Sequence, residues 1–273
     1  MLKQRLLTVA VVLPLLLGLL FLAPNALWSA VSLIAVVIGA LEWSNLCRFS
    51  RGGRWLFSGA VVAACAALFA IPLLGGDDRL AVSVLQILCV LSALFWTVLV
   101  PVWLYYRWSA RNRLFLALVG MIVLVPTWLG IAYLQRVPLL LFLTLGVVWI
   151  ADTAAYFSGR RFGRNKLAPE ISPGKTVEGL VGAYAAVLVY GLVVSWIFQP
   201  NAALAHHAAA LVFVAVLTAL AVAGDLFESW IKRLAGAKDS GRLLPGHGGV
   251  LDRIDSLTAA MPFAALYFSG WAT

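Results

Sequence analysis

Charged residues are scarce in this chain: they make up only 11% of its 273 residues, whereas 63% are hydrophobic. Soluble domains carry about a quarter charged residues and are only about half apolar, so this balance argues against a soluble protein. A bilayer core takes about 20 apolar residues per helical span, so the chain has room for about eight to ten spans. A separate soluble domain does not fit, and we expect one membrane domain over residues 1–273.

Cysteine and histidine are also rare, with three of each. Cys47, Cys65 and Cys89 lie in or beside apolar runs without CxxC spacing, which disfavours a disulfide framework or a thiolate metal site. We interpret them as small core or lipid-facing residues. His206 and His207 fall between two apolar runs, and we interpret them as exposed loop residues.

Proline, glycine and charged residues divide the chain into nine predicted spans. These should be helices, because lipid offers no partners for free backbone groups, so the predicted fold class is an all-α polytopic integral membrane protein. The first run is long enough to span, so we expect an uncleaved helix rather than a signal peptide. The predicted spans are approximately 6–22, 26–46, 55–74, 80–104, 114–134, 138–157, 177–198, 208–230 and 256–271.

The basic residues predict the orientation of these spans. The formal net charge is +9, and nine spans put 18 of the 20 Lys and Arg residues on one side, leaving Arg79 and Arg136 on the other. This separation predicts a cytoplasmic N-terminus and a C-terminus on the opposite side. Short basic loops indicate topology signals and attraction for anionic lipid or nucleotide, not a nucleic-acid partner. Aromatic residues near the predicted span ends fit interfacial anchoring: Trp43, Trp55, Trp103, Tyr105, Tyr106 and Trp108.

Two segments on the predicted cytoplasmic side, residues 151–179 and 224–255, hold most of the charge. They contain eight of the eleven acidic and ten of the twenty basic residues. Charge this dense in a hydrophobic protein is costly unless it is paired, metal-bound or functional. We therefore expect an active site at the cytoplasmic face, with hydrophobic helices in 1–136 and the catalytic motifs in 137–273.

The acidic residues of these segments predict a metal site. Asp225 and Glu228 are three residues apart and share a helix face, and Asp252 and Asp255 repeat that spacing. Two converging carboxylate pairs would repel each other without a cation, and oxygen ligands with a phosphate substrate favour Mg²⁺. A second monovalent or divalent cation is left open. The alternative is that each acid pairs with a neighbouring base such as Lys232, Arg233 or Arg253.

Glycines, hydroxyls and lysine form two candidate phosphate sites. Residues 172–176, SPGKT, precede a predicted helix whose free N–H groups attract anions. The segment lacks the GxxxxGK[ST] spacing, which excludes a P-loop. The glycine cluster 246–249 permits close approach to a phosphate chain. For His247 within it, phosphate or nucleotide contact ranks first and general acid second.

From Ser229 to Asp255 the chain resembles a known family. These residues match the whole signature SxxKRxxxxKDxGxxxPxHGGxxDRxD of phosphatidate cytidylyltransferases, without a departure. The resemblance covers the C-terminal half in detail, while the N-terminal half agrees only in hydropathy. Upstream residues that also resemble the family are Asp152 to Phe157, Gly159, Arg160, Phe162, Gly163, Ser172, Pro173, Lys175, Thr176, Glu178 and Gly179.

The resemblance implies transfer of CMP from CTP to phosphatidate, giving CDP-diacylglycerol and pyrophosphate with Mg²⁺ at the face of a bacterial inner membrane. It also implies a homodimer and a metal on Asp225 and Asp252. We expect catalytic roles for Asp225, Asp252, Lys175 and Lys238, and metal contacts from Asp225, Asp252, Glu228 and Asp255. Expected substrate contacts are Ser172, Lys175, Thr176, Lys232, Arg233, Lys238, His247, Gly248, Gly249 and Arg253, supported by Asp152, Glu178 and Asp239.

Two other functions remain open from the sequence. A related CTP-using membrane enzyme, such as a CDP-archaeol synthase or a polyprenol kinase, would share the catalytic segments but differ in its lipid. A cation-coupled transporter would explain the membrane acids Asp152 and Asp225. It would not explain why phosphate-suited loops cluster on one side.

Overall fold

A computed structural model of the chain describes residues 13–73, 78–243 and 248–269, and these residues form a bundle of long helices. The helices are α1 (Leu13–Leu22), α2 (Asn25–Leu46), α3 (Arg51–Leu73), α4 (Asp78–Leu94), α5 (Val100–Tyr106), α6 (Arg113–Leu134), α7 (Pro138–Phe162), α8 (Val177–Phe198), α9 (Leu204–Ala235) and α10 (Leu251–Ser269). Within this part of the chain, seven helices are long and apolar enough to cross a membrane. The predicted all-α polytopic membrane fold is confirmed.

The predicted spans two to eight each coincide with one of these seven helices. Helix α1 is the described part of the first predicted span, and α10 contains most of the ninth. Helices α7 and α9 are longer than predicted at their charged ends, because hydropathy drops there although the helical hydrogen bonding continues. Helix α9 also begins earlier, so His206 and His207 are helical. His207 is buried and its Nδ1 lies 2.7 Å from Ser195 Oγ, so the exposed-loop interpretation was wrong.

One span contains an irregular turn caused by proline. Helix α4 continues through a π-helical turn, Phe95–Leu99, directly into α5. Pro101 has no N–H and its ring would crowd the carbonyl four residues earlier. A wider turn just before a proline relieves that conflict, so α4 and α5 together cross as one 28-residue segment, Arg79–Tyr106.

A short antiparallel hairpin interrupts the helices between α7 and α8. Strand β1 (Lys166–Ala168) pairs with β2 (Ser172–Thr176), with Lys166 opposite Thr176. The sequence analysis assigned no strand here. The hairpin brings residues 172–176 back across the end of α7 before α8 begins, and so positions one of the two predicted phosphate segments.

Large aromatic side chains fill the centre of the bundle. Trp43 and Trp103 are 1% and 0% exposed and lie in the same core cluster as Phe227. Their ring nitrogens donate to backbone oxygens of Leu116 and Trp108, which satisfies these donors away from water. The predicted interfacial role was therefore wrong for both tryptophans. The remaining candidates are exposed, as that role requires: Trp55, Tyr105, Tyr106 and Trp108.

Helices α9 and α10 cross in close contact beside the charged segments. A Cβ atom on Gly224 would stand 2.5 Å from the backbone oxygen of Asp255, so only glycine permits this approach. The crossing brings the acidic residues of α9 beside those at the start of α10. Helix α8 packs along α7 and against α9, so the ends of these four helices surround one region.

Candidate active site

The charged residues of both segments meet at one end of the bundle, where α7 and α9 end and α8 and α10 begin. On α9, Asp225, Glu228 and Lys232 are spaced three or four residues apart and so share one face. That face is directed at α10 and at strand β2, as the ion pairs from Lys232 to Asp252 and from Asp225 to Lys175 show. The prediction that the two segments converge is thus consistent with the structure.

Lys232 links the acids of two helices. Its Nζ lies 2.7 Å from Glu228 Oε2, one turn earlier on α9, and 2.6 Å from Asp252 Oδ1 on α10. All three side chains are largely buried, with 12%, 4% and 7% of their surfaces exposed. A buried charge is tolerated only when it is paired, so this triad depends on all three of its members. The alternative interpretation, in which acids pair with neighbouring bases, therefore describes part of the site.

Asp252 also organises the loop that carries the sequence signature. Its Oδ2 accepts hydrogen bonds from Ser240 N at 2.9 Å, Ser240 Oγ at 3.0 Å and Gly249 N at 2.8 Å. Both of its oxygens are therefore engaged by the protein. Asp252 lies in the first turn of α10, where the free N–H groups of the helix stabilise a negative charge.

The second ion pair joins the hairpin to α9. Lys175 Nζ on β2 lies 2.5 Å from Asp225 Oδ2, and Ser229 Oγ donates to the other oxygen of Asp225. Both ionic side chains are about a quarter exposed. Asp152 on α7 lies within electrostatic range of Asp225 and Lys175. The hairpin lysine is thus held over acids from two other helices.

The hairpin residues have further structural contacts. Thr176 Oγ1 accepts a hydrogen bond from Gly179 N and caps α8, so this hydroxyl is already occupied. Glu178 accepts from the backbone and side-chain nitrogens of Asn165. Arg233 Nε donates to Ile171 O at the hairpin turn. The substrate contacts predicted for Thr176 and Arg233, and the supporting role of Glu178, stay predictions.

The remaining predicted residues lie in the signature loop, at the start of α10 and at the start of β2. Lys238 and Asp239 are exposed, and Gly248 has a φ of +83°, a conformation that favours glycine. A Cβ atom on Gly248 would also stand 2.7 Å from Asp252 Oδ2. His247 lies outside the described residues. Ser172 starts β2, Gly249 binds Asp252, and Arg253 follows Asp252 on α10.

Glu42 is a site residue that the sequence patterns did not predict. This side chain on α2 is buried, with 6% exposed. Its oxygens accept from Val250 N at 3.0 Å and Leu251 N at 2.8 Å, and Oε2 lies 2.8 Å from Ser240 Oγ, whose single proton is shared between Glu42 and Asp252. Glu42 therefore holds both ends of the signature loop. The signal was available, because Glu42 is an acid inside a predicted span, and such residues are costly unless they have a function.

Comparison with known proteins agrees with this arrangement. The family model described as "Cytidylyltransferase family" matches residues 3–271. The chain belongs to this family. It is 40% identical to the phosphatidate cytidylyltransferase of Pseudomonas aeruginosa, with 99% of each chain covered. It is 35% identical to the phosphatidate cytidylyltransferase of Haemophilus influenzae, and the match covers 98% of this chain and 99% of the relative. It is 39% identical to the one from Bacillus subtilis, and that match covers 60% of this chain and 63% of the relative.

The acids between α9 and α10 have the chemistry of a site for a hard cation. The Asp255 carboxyl lies within electrostatic range of Asp225 and Glu228. Glu228 Oε1 is buried and receives no hydrogen bond from any described residue. Carboxylates that meet without a donor need a proton or a cation between them.

Protein ligands alone do not complete a metal site here. In residues 13–73, 78–243 and 248–269, no three His, Cys, Asp or Glu side chains converge closely enough to hold an ion. Mg²⁺ is usually held by one or two carboxylates, with substrate phosphates and water as its other ligands. The carboxylates of Glu228 and Asp255 therefore fit a cation whose remaining ligands are phosphate oxygens of a substrate.

Proposed function

We propose that the chain is a phosphatidate cytidylyltransferase, which converts CTP and phosphatidate to CDP-diacylglycerol and pyrophosphate. The observation that carries the proposal is the complete signature in the sequence of residues 229–255, whose described residues 229–243 and 248–255 bring the end of α9 and the start of α10 together. There the ion pairs of Lys175 and Lys232 gather basic and acidic groups at the end of an apolar bundle. Relatives of that name, similar over full length, support the choice of lipid.

The reaction needs positioning and charge stabilisation more than proton transfer. A phosphate oxygen of phosphatidate attacks the α-phosphorus of CTP, and the bond from that phosphorus to the bridging oxygen of pyrophosphate breaks. Phosphatidate is already an anion, so the site needs no strong general base. Catalysis then depends on alignment of the two phosphates and on fixed charges around them.

The residues divide these tasks between them. Lys175 is a quarter exposed beside Asp225 and so presents a cation to a phosphate. Lys232 is more deeply buried in its triad, and we assign it to holding Asp252 and Glu228 in place. Lys238, Arg233 and Arg253 are further candidates for phosphate contacts, with Gly248 and Gly249 allowing close approach of the substrate.

One or two of the carboxylates of Asp225, Glu228 and Asp255 would hold Mg²⁺ together with substrate phosphates, and the family resemblance implies Asp252 as a further ligand. When bound, the metal would neutralise negative charge on the phosphates. Asp252 has both oxygens engaged by Lys232, Ser240 and Gly249, so its contribution requires one of these contacts to open.

We further propose that the enzyme is a homodimer of a bacterial inner membrane, with the site and the N-terminus facing the cytoplasm. The asymmetry of basic residues supports the orientation and the organisms of the named relatives support the membrane, while the homodimer rests on the family resemblance alone. CTP is then available from the cytoplasm, while the acyl chains of phosphatidate stay in the bilayer.

The test is nucleotidyl transfer by the purified chain in mixed micelles. With α-labelled CTP and phosphatidate we expect a labelled lipid that depends on Mg²⁺, and much less with the other triphosphates. The same reaction with a polyprenol or an archaeol phosphate tests the two related enzyme classes. Labelled CDP-archaeol without CDP-diacylglycerol, or phosphorylation from γ-labelled CTP, would refute the proposal. Cation transport in sealed vesicles without CTP turnover would favour the transporter instead.

A further inference from the structure

A second charged cavity lies at the same end of the bundle, on another face of α9. The cavity has a volume of about 440 Å³. We call it the basic cavity, and define it by Arg48, Arg111 and Arg113 at its rim and Cys47, Ile231 and Leu234 at its floor. Ile231 precedes Lys232, so its side chain points about 100° away from the active-site face. The basic cavity is therefore separate from the candidate active site.

The charges of the basic cavity are unbalanced. Three arginines line it, and among the described residues no acidic side chain does. By contrast, Lys175 pairs with Asp225 and Arg107 pairs with Glu170 at this end of the bundle. Like charges around one cavity repel each other unless an anion lies between them. Guanidinium groups match phosphate oxygens in geometry and bind them through paired hydrogen bonds.

The backbone at Arg48 provides an independent observation. Helix α2 ends in a Schellman motif, in which Arg48 N donates to Asn45 O and Phe49 N donates to Ser44 O. The residue at this position needs a left-handed conformation, and Arg48 has a φ of +54°. Glycine adopts that conformation without strain, whereas arginine does not. A strained arginine where glycine would be more stable indicates that the side chain itself is needed.

The walls of the cavity hold the arginines in place. Arg48 Nη2 donates to Ala235 O at the end of α9, 3.3 Å away. The connection that carries Arg111 is fixed to α9 by the hydrogen bond from Trp230 Nε1 to Trp108 O. Arg48 at the end of α2, Arg111 before α6 and Arg113 at the start of α6 thus line one cavity.

The cavity lies where a lipid headgroup would be. Its floor is apolar, and burial raises the pKa of Cys47 to about 12, so the thiol stays neutral. Exposed Tyr105 and Tyr106 lie nearby at the end of α5, and such aromatic side chains mark the headgroup level of membranes. We propose that the basic cavity binds a phosphate group, carried by an anionic lipid headgroup or by a soluble phosphate, separately from the active site.

Arg48→Gly is the sharpest variant, because it removes the charge and also relieves the left-handed backbone. Its thermal unfolding temperature should equal or exceed that of the unchanged protein. A second variant, Arg111→Ala with Arg113→Ala, removes the other two charges. Arg51→Ala is the matched control, since Arg51 is an exposed arginine at the start of α3 that does not line the cavity.

Phosphatidylglycerol is the lipid probe, with retained lipids counted by native mass spectrometry of the full chain in neutral micelles. We expect the unchanged protein and Arg51→Ala to retain one more phosphatidylglycerol than the other two variants, whose affinity should fall about tenfold or more. The second arm measures thermal stabilisation by inorganic phosphate and pyrophosphate.

The ligand is a soluble phosphate if Arg48→Gly loses the thermal stabilisation by phosphate and still retains the same number of lipids. If neither measurement distinguishes Arg48→Gly and the double variant from Arg51→Ala, the proposal is overturned. Neither arm requires CTP turnover, so its failure is distinct from a failure of the proposed catalytic function.

Discussion

Glu42 should hold the signature loop closed, although it lies about 200 positions earlier in the chain. It accepts hydrogen bonds from Ser240 Oγ, Val250 N and Leu251 N. Glu42→Gln keeps the size of the side chain but replaces one acceptor oxygen by an NH₂ group. If the remaining oxygen serves Leu251 and Ser240, the NH₂ group faces Val250 N–H, and two donors meet.

The expected cost follows from these contacts. One donor loses its partner, at about 1 to 3 kcal/mol, and the two surviving bonds weaken because the acceptor is no longer charged. We therefore expect the loop to open more easily by at least about 2 kcal/mol, a factor of about 30 in its opening equilibrium. Glu42→Ala should cost more, because the N–H groups of Val250 and Leu251 both lose their acceptor, while Ser240 Oγ keeps Asp252.

Hydrogen exchange of the peptide covering residues 238–252 measures this opening in the intact protein. Glu42→Gln should raise its exchange rate about 30-fold and lower CMP transfer, while peptides from α7 and α8 stay protected. Glu170→Gln is the control, since Glu170 belongs to an exposed pair with Arg107 that contributes little. Equal protection of the loop in both variants would refute the role assigned to Glu42.

Three further perturbations test the site. Lys232→Ala leaves the buried carboxylates of Glu228 and Asp252 without their cation and should lower the free energy of unfolding by about 3 to 5 kcal/mol in denaturant. The double variant Lys232→Ala with Glu228→Gln should recover part of that loss. No recovery would contradict the triad. Gly224→Ala should reduce CMP transfer strongly, because the added methyl group pushes α9 away from the backbone of Asp255. An unchanged rate would show that α9 and α10 can move apart without loss of the site. Asp225→Asn should insert and purify normally but lose Mg²⁺-dependent turnover, and near-normal activity would remove Asp225 from the metal site.

Local sequence patterns were sufficient for much of the fold. Hydropathy located seven helices because lipid requires long apolar runs, and it failed at the charged ends of α7 and α9, where helices continue beyond the apolar run. The dense charge of residues 151–179 and 224–255 indicated the site for the same reason. The hairpin at Lys166–Thr176 was not predicted, because its strands are short and carry no alternating apolar pattern.

Local sequence patterns did not predict which side chains contact each other. Spacing placed Asp225, Glu228 and Lys232 on one face of α9, because helical periodicity is local. The crossing of α2, α9 and α10 decides the contacts between helices. It brings Lys232 to Asp252 and Glu42 to Leu251. Such contacts join residues far apart in the chain, so their distances follow from packing, including the close approach at Gly224 that local preferences do not encode.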